Sequence, residues 1–379
     1  YPNRCPPITG MDERYLGRAL ELAKKAWGET HPNPMVGAVI VEDNEIVSEG
    51  YHARAGDRHA EIVALDNLGR PPRSDAVLYV ILEPCSTSGR TGSCVEAIVK
   101  RGVRRVMVGA LDPNPVHAGR GLDKLREAGI EVCETEGSLA ESCSDLNLIF
   151  NYQIVHNRPF FALKLAVTKD GKIAEQHGKT SVITGEEARA DVMLWRRLFP
   201  AIAIGAGTVV ADNPSLTARL PSGTWCPRRI ILDGKLSSVP ETGILPNVYS
   251  DNFSERTLVV TDKASSNTDL RRTRLIDAGV TIRELPLDSG GSFSYSKLRE
   301  TLADEDLTGV YFEGGAKVAR QMLREKAVDY LFWYQSPKAF PNADAVQVPP
   351  LSDFPLTEKV QFTKLGKDSL TRGFLNFSN

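Results

Sequence analysis

Short apolar runs of strand length alternate with stretches of helical periodicity through almost the whole chain. An amphipathic helix opens at Met11 and extends to about Trp27. The first half then shows apolar runs at 36–41, 77–82, 103–108 and 130–133, and helical patterns at 59–68, 93–100 and 122–128. Because this alternation favours a sheet covered by helices, we predict an α/β fold.

The same alternation starts again after an interruption at Asn157-Arg158-Pro159. A long helical pattern at 139–155 ends there, and an apolar strand at 160–167 follows without a Gly/Ser-rich linker. The second half has helical patterns at 185–198, 268–277, 294–302 and 316–325, strand patterns at 201–205, 229–232, 257–261, 280–285, 309–312 and 330–334, and expected loops at 221–228, 246–256 and 336–353. The length of 379 residues fits two or three domains, and we predict two α/β domains, 1–156 and 157–379.

The 46 Lys and Arg residues nearly balance the 48 Asp and Glu residues, which gives a formal net charge of −2. This balance provides no electrostatic footprint for a nucleic-acid duplex or an anionic membrane. No apolar run approaches the roughly 20 residues of a membrane-spanning helix, and the first ten residues lack a signal-peptide pattern. We expect a soluble, cytoplasmic protein that acts on small molecules. The chain starts at Tyr1, and Met11 is a candidate native start.

The first half also contains a set of soft metal ligands. His59-Ala60-Glu61 opens a predicted helix, Pro84-Cys85 follows a predicted strand, and Cys94 lies at the start of another helix. One imidazole and two thiolates suit zinc and leave its fourth position for water. Zinc lowers the pKa of that water towards about 7, and the carboxylate of Glu61 can take its proton and return it to a leaving amine.

Each fragment of this pattern is weak evidence alone, since His-X-Glu occurs by chance and paired cysteines often lie in a core or in a closed zinc site. Together and in this order they form the zinc-deaminase signature, in which the glutamate moves protons and does not bind the metal. The usual Cys-X-X-Cys spacing is replaced here by a longer polar loop between Cys85 and Cys94, which contains Arg90. A loop of this kind can contact a phosphate, although a solvated turn is the simpler interpretation.

Three features of the second half bear on ligand binding. Lys164 interrupts an apolar strand, so this strand lies at a sheet edge or Lys164 faces a polar site, and both alternatives stay open. Gly205-Ala206-Gly207 resembles a dinucleotide fingerprint but has Val210 in place of the third glycine, so a Rossmann site is not predicted. A strand that enters Gly314-Gly315 and then a helix is a better anion site, because the helix start presents free backbone N–H groups.

The first half resembles the deaminase domain of the bifunctional pyrimidine deaminase/reductases of riboflavin biosynthesis. The matching stretches are Thr30-His31-Pro32-Asn33-Pro34, His59-Ala60-Glu61, Leu82-Glu83-Pro84-Cys85-Ser86 and Asp112-Pro113-Asn114-Pro115, together with the long interval between Cys85 and Cys94. The resemblance implies zinc ligands at His59, Cys85 and Cys94, a general acid and base at Glu61, and substrate contacts at Asn33, His52, Arg90, Asp112 and Asn114. Thr87 departs from the family, which often has His at that position.

The second half resembles the reductase domain of the same family, whose fold is similar to dihydrofolate reductase. The matching stretches are Leu163-Lys164-Leu165, Asp170-Gly171, Ile183-Thr184, residues 208–219, Glu313-Gly314-Gly315 and Val328-Asp329. The resemblance implies NADPH contacts at Ala166, Val182, Thr208, Asp212, Gly234, Gly315, Ala316 and Lys317, and substrate contacts at Lys164, Thr180, Arg196, Leu216, Arg219 and Glu313. Arg196 and Arg219 are the expected holders of the substrate phosphate. Val182 stands where the family often has Trp, so stacking against the cofactor would be lost.

This resemblance covers the chain from about Met11 to its end and implies two successive reactions. Zinc-dependent hydrolysis removes an amino group from a diaminopyrimidinone ribosylamine phosphate. Hydride from NADPH then reduces the ribosyl group to a ribityl side chain. The family also implies self-association through the reductase half.

Three alternatives stay open. A nucleic-acid-editing deaminase shares the zinc signature, although the balanced charge argues against it. A binding or structural protein would close the zinc site with a fourth ligand, for which Cys133 and Cys143 are candidates. An active deaminase with a weak or inactive reductase would follow from Val182. The six cysteines are too sparse along the chain for a disulfide scaffold, so we expect them to be reduced thiols.

Overall fold

The computed structural model describes residues 8–86, 93–179, 181–263, 269–357 and 359–377. The chain divides into two compact units, Tyr1–Asn157 and Arg158–Asn379, and each unit contains a sheet and a core of its own. The predicted α/β class is confirmed. None of the helices in the described stretches combines the length and apolar character that a membrane crossing requires.

The first unit is built on one mixed sheet. Its helices are α1 (Gly10–Lys24), α2 (Ala60–Leu68), α3 (Cys94–Arg101), α4 (Arg120–Glu127), α5 (Gly137–Asp145) and α6 (Leu148–His156), and its strands are β1 (Gly37–Glu42), β2 (Glu45–Tyr51), β3 (Val77–Val80), β4 (Arg105–Val108) and β5 (Glu131–Glu134). The strand order is β2-β1-β3-β4-β5; β1 is antiparallel to β2 and β3, whereas β3, β4 and β5 run parallel. Strand β2 was not predicted.

Helices cover this sheet on both faces. Ala38, Ile40 and Leu78 belong to an apolar cluster that also contains side chains of α2, α3 and α4. Tyr79, the next residue of β3, contacts Tyr15 of α1, with ring centroids 5.2 Å apart. Because successive strand residues point to opposite faces, α1 lies across the sheet from the other three helices.

The prediction of one long helix at 139–155 is wrong, because α5 and α6 are separated at Leu146 and Asn147. The buried Asn147 side chain accepts a hydrogen bond from the Met35 backbone N–H at 2.7 Å and donates one to the Met35 carbonyl at 2.9 Å. This contact joins residues far apart in sequence, so helical periodicity carries no sign of it. It also fixes the backbone just after Asn33, one of the predicted substrate contacts.

The second unit is built on a larger sheet. Its helices are α7 (Glu186–Leu198), α8 (Ala206–Asp212), α9 (Asn247–Ser250), α10 (Asp269–Asp277), α11 (Tyr295–Ala303) and α12 (Ala316–Arg324), with 3-10 turns at Ser254–Arg256 and Leu351–Asp353. Its strands are β6 (Phe160–Thr168), β7 (Lys172–Ala174), β8 (Ala201–Gly205), β9 (Ala218–Leu220), β10 (Gly223–Trp225), β11 (Arg228–Leu232), β12 (Thr257–Thr261), β13 (Thr281–Glu284), β14 (Gly309–Glu313), β15 (Tyr330–Ser336), β16 (Val346–Gln347), β17 (Gln361–Leu365) and β18 (Asp368–Phe374).

Among the described residues, nine of these strands form one sheet in the order β13-β12-β11-β8-β14-β6-β15-β18-β17. The first seven are parallel, and β18 and β17 add an antiparallel edge. One face packs on α11 and α12, and the other buries Ile202, Ile231 and Val259 against α9 and α10. Sequence patterns missed the short pairs β9–β10 and β7–β16, and also β17 and β18.

The cysteines are not all reduced. Cys85, Cys94, Cys143 and Cys226 are free thiols, as expected. The expectation is wrong for Cys133, which is disulfide-bonded. Spacing along the chain does not reveal such a bond, because a disulfide depends on which Cβ atoms the fold brings within about 4 Å of each other.

Candidate functional site

The three predicted zinc ligands come from three different segments of the first unit. His59 is the N-terminal capping residue of α2, with extended backbone angles, and Cys94 is the first residue of α3. Cys85 follows β3, and the backbone N–H of Cys94 lies 3.3 Å from its sulfur. Because Cα–Cβ bonds in a helix tilt toward its N-terminus, side chains at the two helix starts can meet beside Cys85.

The ligand atoms converge closely enough for one metal ion. His59 Nδ1, Cys85 Sγ and Cys94 Sγ all lie within 4.8 Å of one another, and the imidazole nitrogen is 3.0 Å from Cys94 Sγ and 3.6 Å from Cys85 Sγ. Tetrahedral zinc with ordinary bond lengths places N and S ligands about 3.6 Å apart and two S ligands about 3.8 Å apart. The residues present therefore fit zinc.

Glu61 lies beside this cluster in the first turn of α2, and its residue is only 3% exposed. Burial raises the pKa of Glu61 to about 7. Hydrogen bonds from Cys94 and His59 lower the pKa of Cys85, which favours the thiolate that a metal ligand requires.

A closed four-ligand site finds no support in the described part of the chain. The group of His, Cys, Asp and Glu atoms that could share a metal ion contains only His59, Cys85 and Cys94. The sulfur of Cys143 packs instead against Gly109, and the sulfur of Cys133 is in a disulfide. Three protein ligands with one open position are the arrangement of catalytic zinc sites.

Two of the predicted substrate contacts meet next to the ligands. The Asn33 side-chain amide lies 3.2 Å from His52 Nε2, and the other ring nitrogen of His52 lies 3.2 Å from the Arg58 carbonyl. The His52 ring meets His59 edge-on, with centroids 5.5 Å apart. Burial lowers the pKa of His52, which favours the neutral imidazole.

Asp112 and Asn114 lie in the loop between β4 and α4, where their side chains shape the loop itself. Asp112 Oδ1 accepts a hydrogen bond from the Asn114 N–H at 2.8 Å, and Asn114 Oδ1 accepts one from the Val116 N–H at 3.0 Å. Glu83, which the sequence indicates only as part of a motif, accepts N–H groups from Asp112 and Gly119 of this loop and from Gly121 in the first turn of α4. The predicted contact at Arg90 and the departure at Thr87 fall outside the described residues.

A cleft of about 980 Å³ in the second unit opens at the carboxyl ends of β6, β14, β8 and β11. In open α/β sheets, ligands bind at this end of the strands. Strand β14 passes through Gly314-Gly315 into α12, and β8 passes directly into α8, so two helix starts face the cleft. Ala206 and Gly207 also line the cleft, although their stretch lacks the third glycine of a Rossmann fingerprint.

Three charged side chains form a buried group in this cleft. Lys164 lies on β6 between β14 and β15, which excludes the edge-strand alternative, and its Nζ is 3.7 Å from Glu313 Oε2. Arg196 Nη2 donates to the same oxygen at 2.9 Å, and Nη1 donates to the Thr217 carbonyl at 3.0 Å. Burial alone raises the pKa of Glu313, but Arg196 and Lys164 overcome it and hold the value at about 2.

The cleft gathers most of the residues predicted for the reductase half. Those that line it are Lys164, Ala166, Arg196, Thr208, Asp212, Leu216, Gly234, Glu313, Gly315, Ala316 and Lys317. Val182 is not among them and is 67% exposed. Arg219 is exposed on β9 and contacts Thr217 Oγ1, outside the lining. Thr180 lies outside the described residues. The loop 290–293, which no sequence signal singled out, also lines the cleft.

Together, the open His/Cys/Cys site and the strand-end cleft define a class of protein, a zinc-dependent deaminase unit followed by a reductase unit with room for a nucleotide cofactor. Residues 9–110 match the family described as the cytidine and deoxycytidylate deaminase zinc-binding region, and residues 159–371 match the RibD C-terminal domain. The chain belongs to the RibD family, the bifunctional deaminases and reductases of riboflavin biosynthesis.

The relatives match over most of their length. The riboflavin biosynthesis protein RibD of Bacillus amyloliquefaciens is 38% identical over 365 residues, which cover 94% of this chain and 95% of that protein. RibD of Escherichia coli (strain K12) is 36% identical, with coverage of 86% and 88%. The solved structure of a diaminohydroxyphosphoribosylaminopyrimidine deaminase/5-amino-6-(5-phosphoribosylamino)uracil reductase from Thermotoga maritima is 34% identical, with a TM-score of 0.77 and coverage of 97% of this chain and 99% of that chain.

Proposed function

We propose that this chain converts 2,5-diamino-6-(5-phosphoribosylamino)pyrimidin-4(3H)-one to 5-amino-6-(5-phosphoribosylamino)uracil and then reduces its ribosyl group to a ribityl group with NADPH. The first reaction is assigned to residues 1–156 and the second to residues 157–379. The related proteins carry both activities in their names. The observation that carries the assignment is the convergence of His59, Cys85 and Cys94 beside the buried carboxyl group of Glu61.

In the deaminase, His59 Nδ1 and the sulfurs of Cys85 and Cys94 would hold the metal. Zinc, when bound there, acidifies a water molecule and so supplies a nucleophile at neutral pH. The carboxylate oxygens of Glu61 take a proton from the attacking water and return it to the departing amine. The neutral side chains of Asn33 and His52 orient the pyrimidine ring without adding charge.

The substitution Glu61→Gln tests this assignment. Metal analysis is expected to find zinc retained, while ammonia release falls by about 10²–10⁴-fold, the usual contribution of a positioned general acid and base. The matched control is Glu96→Gln, because Glu96 follows Cys94 at the spacing by which Glu61 follows His59 but is exposed. If Glu61→Gln keeps both its zinc and its deaminase turnover, the mechanism is wrong.

In the reductase, the backbone turn at Gly314-Gly315 and the start of α12 would hold the cofactor diphosphate. NADPH, when bound, supplies the hydride. Lys164 and Glu313 lie within the same cleft and would bind the hydroxyl groups of the opened ribose. Arg196 is engaged with Glu313 and Thr217, so its proposed phosphate contact would use the outward side of the guanidinium group.

Mixing the protein with NADPH and the deaminated intermediate tests the second activity. We expect loss of the nicotinamide absorbance, and no loss with Lys164→Met. A deaminase that releases ammonia without consuming NADPH would instead identify a weak or inactive reductase, the alternative raised by Val182.

The proposal also covers the cellular location, the partner and the oligomeric state of the enzyme. It places the enzyme in the cytoplasm, with a small phosphorylated pyrimidine as its partner, and includes self-association through the reductase half. Light scattering of the purified chain measures its mass in solution, and a monomer at every concentration would contradict self-association.

A further inference from the structure

Glu83 lies between β3 and the predicted zinc ligand Cys85, and its residue is 7% exposed. Its carboxylate accepts three backbone hydrogen bonds. Oε2 accepts from the N–H groups of Asp112 at 3.0 Å and Gly119 at 2.9 Å, and Oε1 accepts from Gly121 at 2.7 Å. A buried carboxylate that accepts several backbone N–H groups is stabilised by charge-assisted hydrogen bonds, which are about twice as strong as neutral ones.

All three donors belong to one segment, residues 110–121, which contains the loop after β4 and the first two residues of α4; we call this segment the loop 110–121. The Glu83 backbone N–H also donates to the Ala110 carbonyl at 2.8 Å, so one residue binds both ends of the loop. Asp112 and Asn114, the predicted substrate contacts, lie inside it. Glu83 therefore binds the backbone on both sides of Asn114 and at Asp112 itself.

Close packing ties the far end of the loop to the ligand segment. A Cβ atom at Gly121 would lie 2.3 Å from the Pro84 carbonyl oxygen, so only glycine allows α4 to approach the backbone just before Cys85. From the next turn of α4, Lys124 Nζ donates to the Ser86 carbonyl at 2.8 Å. The segment 83–86 and the loop 110–121 are thus one hydrogen-bonded unit.

We propose that Glu83 is a positioning residue of the deaminase, which fixes the loop 110–121 against the segment that carries Cys85 and thereby sets the affinity for the pyrimidine substrate. The inference rests on the proposed deaminase activity and adds a residue to it. Within the described residues, the Glu83 carboxylate contacts backbone N–H groups and does not belong to the group of predicted ligand atoms, so we expect its loss to act on substrate binding more than on the chemical step.

The test is Glu83→Gln in the full-length, zinc-loaded protein. The amide keeps the shape but replaces one accepting oxygen with an N–H₂ group that faces backbone donors. Losing one or two charge-assisted hydrogen bonds is expected to raise KM for deamination by roughly ten-fold or more, with kcat changed less than about three-fold and zinc content unchanged.

Glu42→Gln is the matched control. Glu42 is buried in the same unit, binds Arg70 through its side chain and accepts the Arg73 backbone N–H at 2.8 Å, yet it lies outside the loop. This variant is expected to lose stability without a change in KM. Equal KM values for Glu83→Gln, Glu42→Gln and wild type would overturn the proposal, and so would loss of zinc from Glu83→Gln, which would assign Glu83 to the metal site.

Glu83→Asp keeps the charge and shortens the side chain, and it serves if the Gln variant does not fold. It is expected to retain zinc and to show a KM between those of wild type and Glu83→Gln, and an unchanged KM would count against the proposal. Failure of the proposed function is a separate result, because wild type itself would then release no ammonia.

Discussion

Lys164 and Glu313 stand opposite each other in register on the parallel strands β6 and β14, and their charged groups lie 3.7 Å apart in the wall of the cleft. Arg196 reaches the same carboxylate from α7. Two cations therefore share one anion, at side chains that are 17%, 13% and 12% exposed for Lys164, Glu313 and Arg196. The charge balance of this buried group therefore depends more on Glu313, the single anion, than on either Lys164 or Arg196.

Glu313→Gln is expected to destabilise the second unit by about 3–5 kcal/mol, because it leaves two buried cations without an anion. Lys164→Met leaves the Arg196–Glu313 pair intact, and its effect on stability is expected to stay below about 1 kcal/mol while reductase turnover is lost. Urea unfolding followed by tryptophan fluorescence measures both. Equal destabilisation by the two variants would show that the charges do not act as one group.

The same group predicts how stability responds to acid. The folded pKa of Glu313 is lowered from 4.5 to about 2, so its contribution is fully present above pH 4.5 and is lost as the pH falls toward 2. The linked free energy is about 3 kcal/mol. Wild type and Glu313→Gln should therefore converge in unfolding free energy between pH 4.5 and 2. Curves that stay parallel over this window would contradict the prediction.

Local motifs allowed the convergence of His59, Cys85 and Cys94 to be predicted, because each of these residues lies at a helix start or after a strand that periodicity locates. Periodicity reports which side chains are buried, and it does not report hydrogen bonds between distant segments. For this reason the break at Asn147 and the loop anchor at Glu83 could not be predicted, although both were visible as polar residues in apolar surroundings.

The reductase half was predicted unevenly for the same reason. The Gly314-Gly315 turn and Lys164 have recognisable local patterns, and both line the cleft. Arg219 lies two residues after the buried Thr217, at the start of the β9–β10 hairpin. The hairpin decides which way Arg219 faces, and the sequence pattern did not reveal it. Arg219 accordingly lies outside the lining.

Val182→Trp is expected to strengthen cofactor binding. Val182 is 67% exposed, so the larger ring meets no core, and the change in stability should stay within about 0.5 kcal/mol. A ring that stacks on the cofactor contributes about 1 kcal/mol, or roughly a five-fold lower Kd for NADPH. Isothermal titration measures the Kd, with Val155→Trp, an exposed site in the first unit, as control. Identical Kd values in both variants would place residue 182 away from the cofactor.

Leu216 has a left-handed backbone, with φ of 54°, although it is a bulky residue in the cleft lining. Such a conformation costs about 1–2 kcal/mol and persists only when neighbours enforce it. The fully buried Arg229 donates to the Ser215 carbonyl at 3.0 Å, and Arg196 donates to the Thr217 carbonyl, so the strained residue is held from both sides.

Arg229→Lys is therefore expected to free the backbone around Leu216 from its hydrogen bond at the Ser215 carbonyl. Lysine has no planar fork and cannot bind Ser215, Thr257 and the two oxygens of Asp251 together, which should cost about 2–4 kcal/mol in unfolding free energy. KM for the reductase substrate should rise, while the Kd for NADPH stays within about two-fold. A fall in stability with unchanged KM would mean that Arg229 supports the core alone.

Removing zinc should separate the two activities. Each unit has its own apolar core, and the predicted ligands all lie in the first unit, so chelation is expected to abolish ammonia release and leave NADPH oxidation with the deaminated intermediate unchanged. Because the first unit has an apolar core of its own, we expect it to stay folded without the metal, so added zinc should restore deamination. The measurement is a pair of assays on one chelated sample, before and after zinc is returned. Loss of both activities on chelation would show that the reductase also depends on the metal.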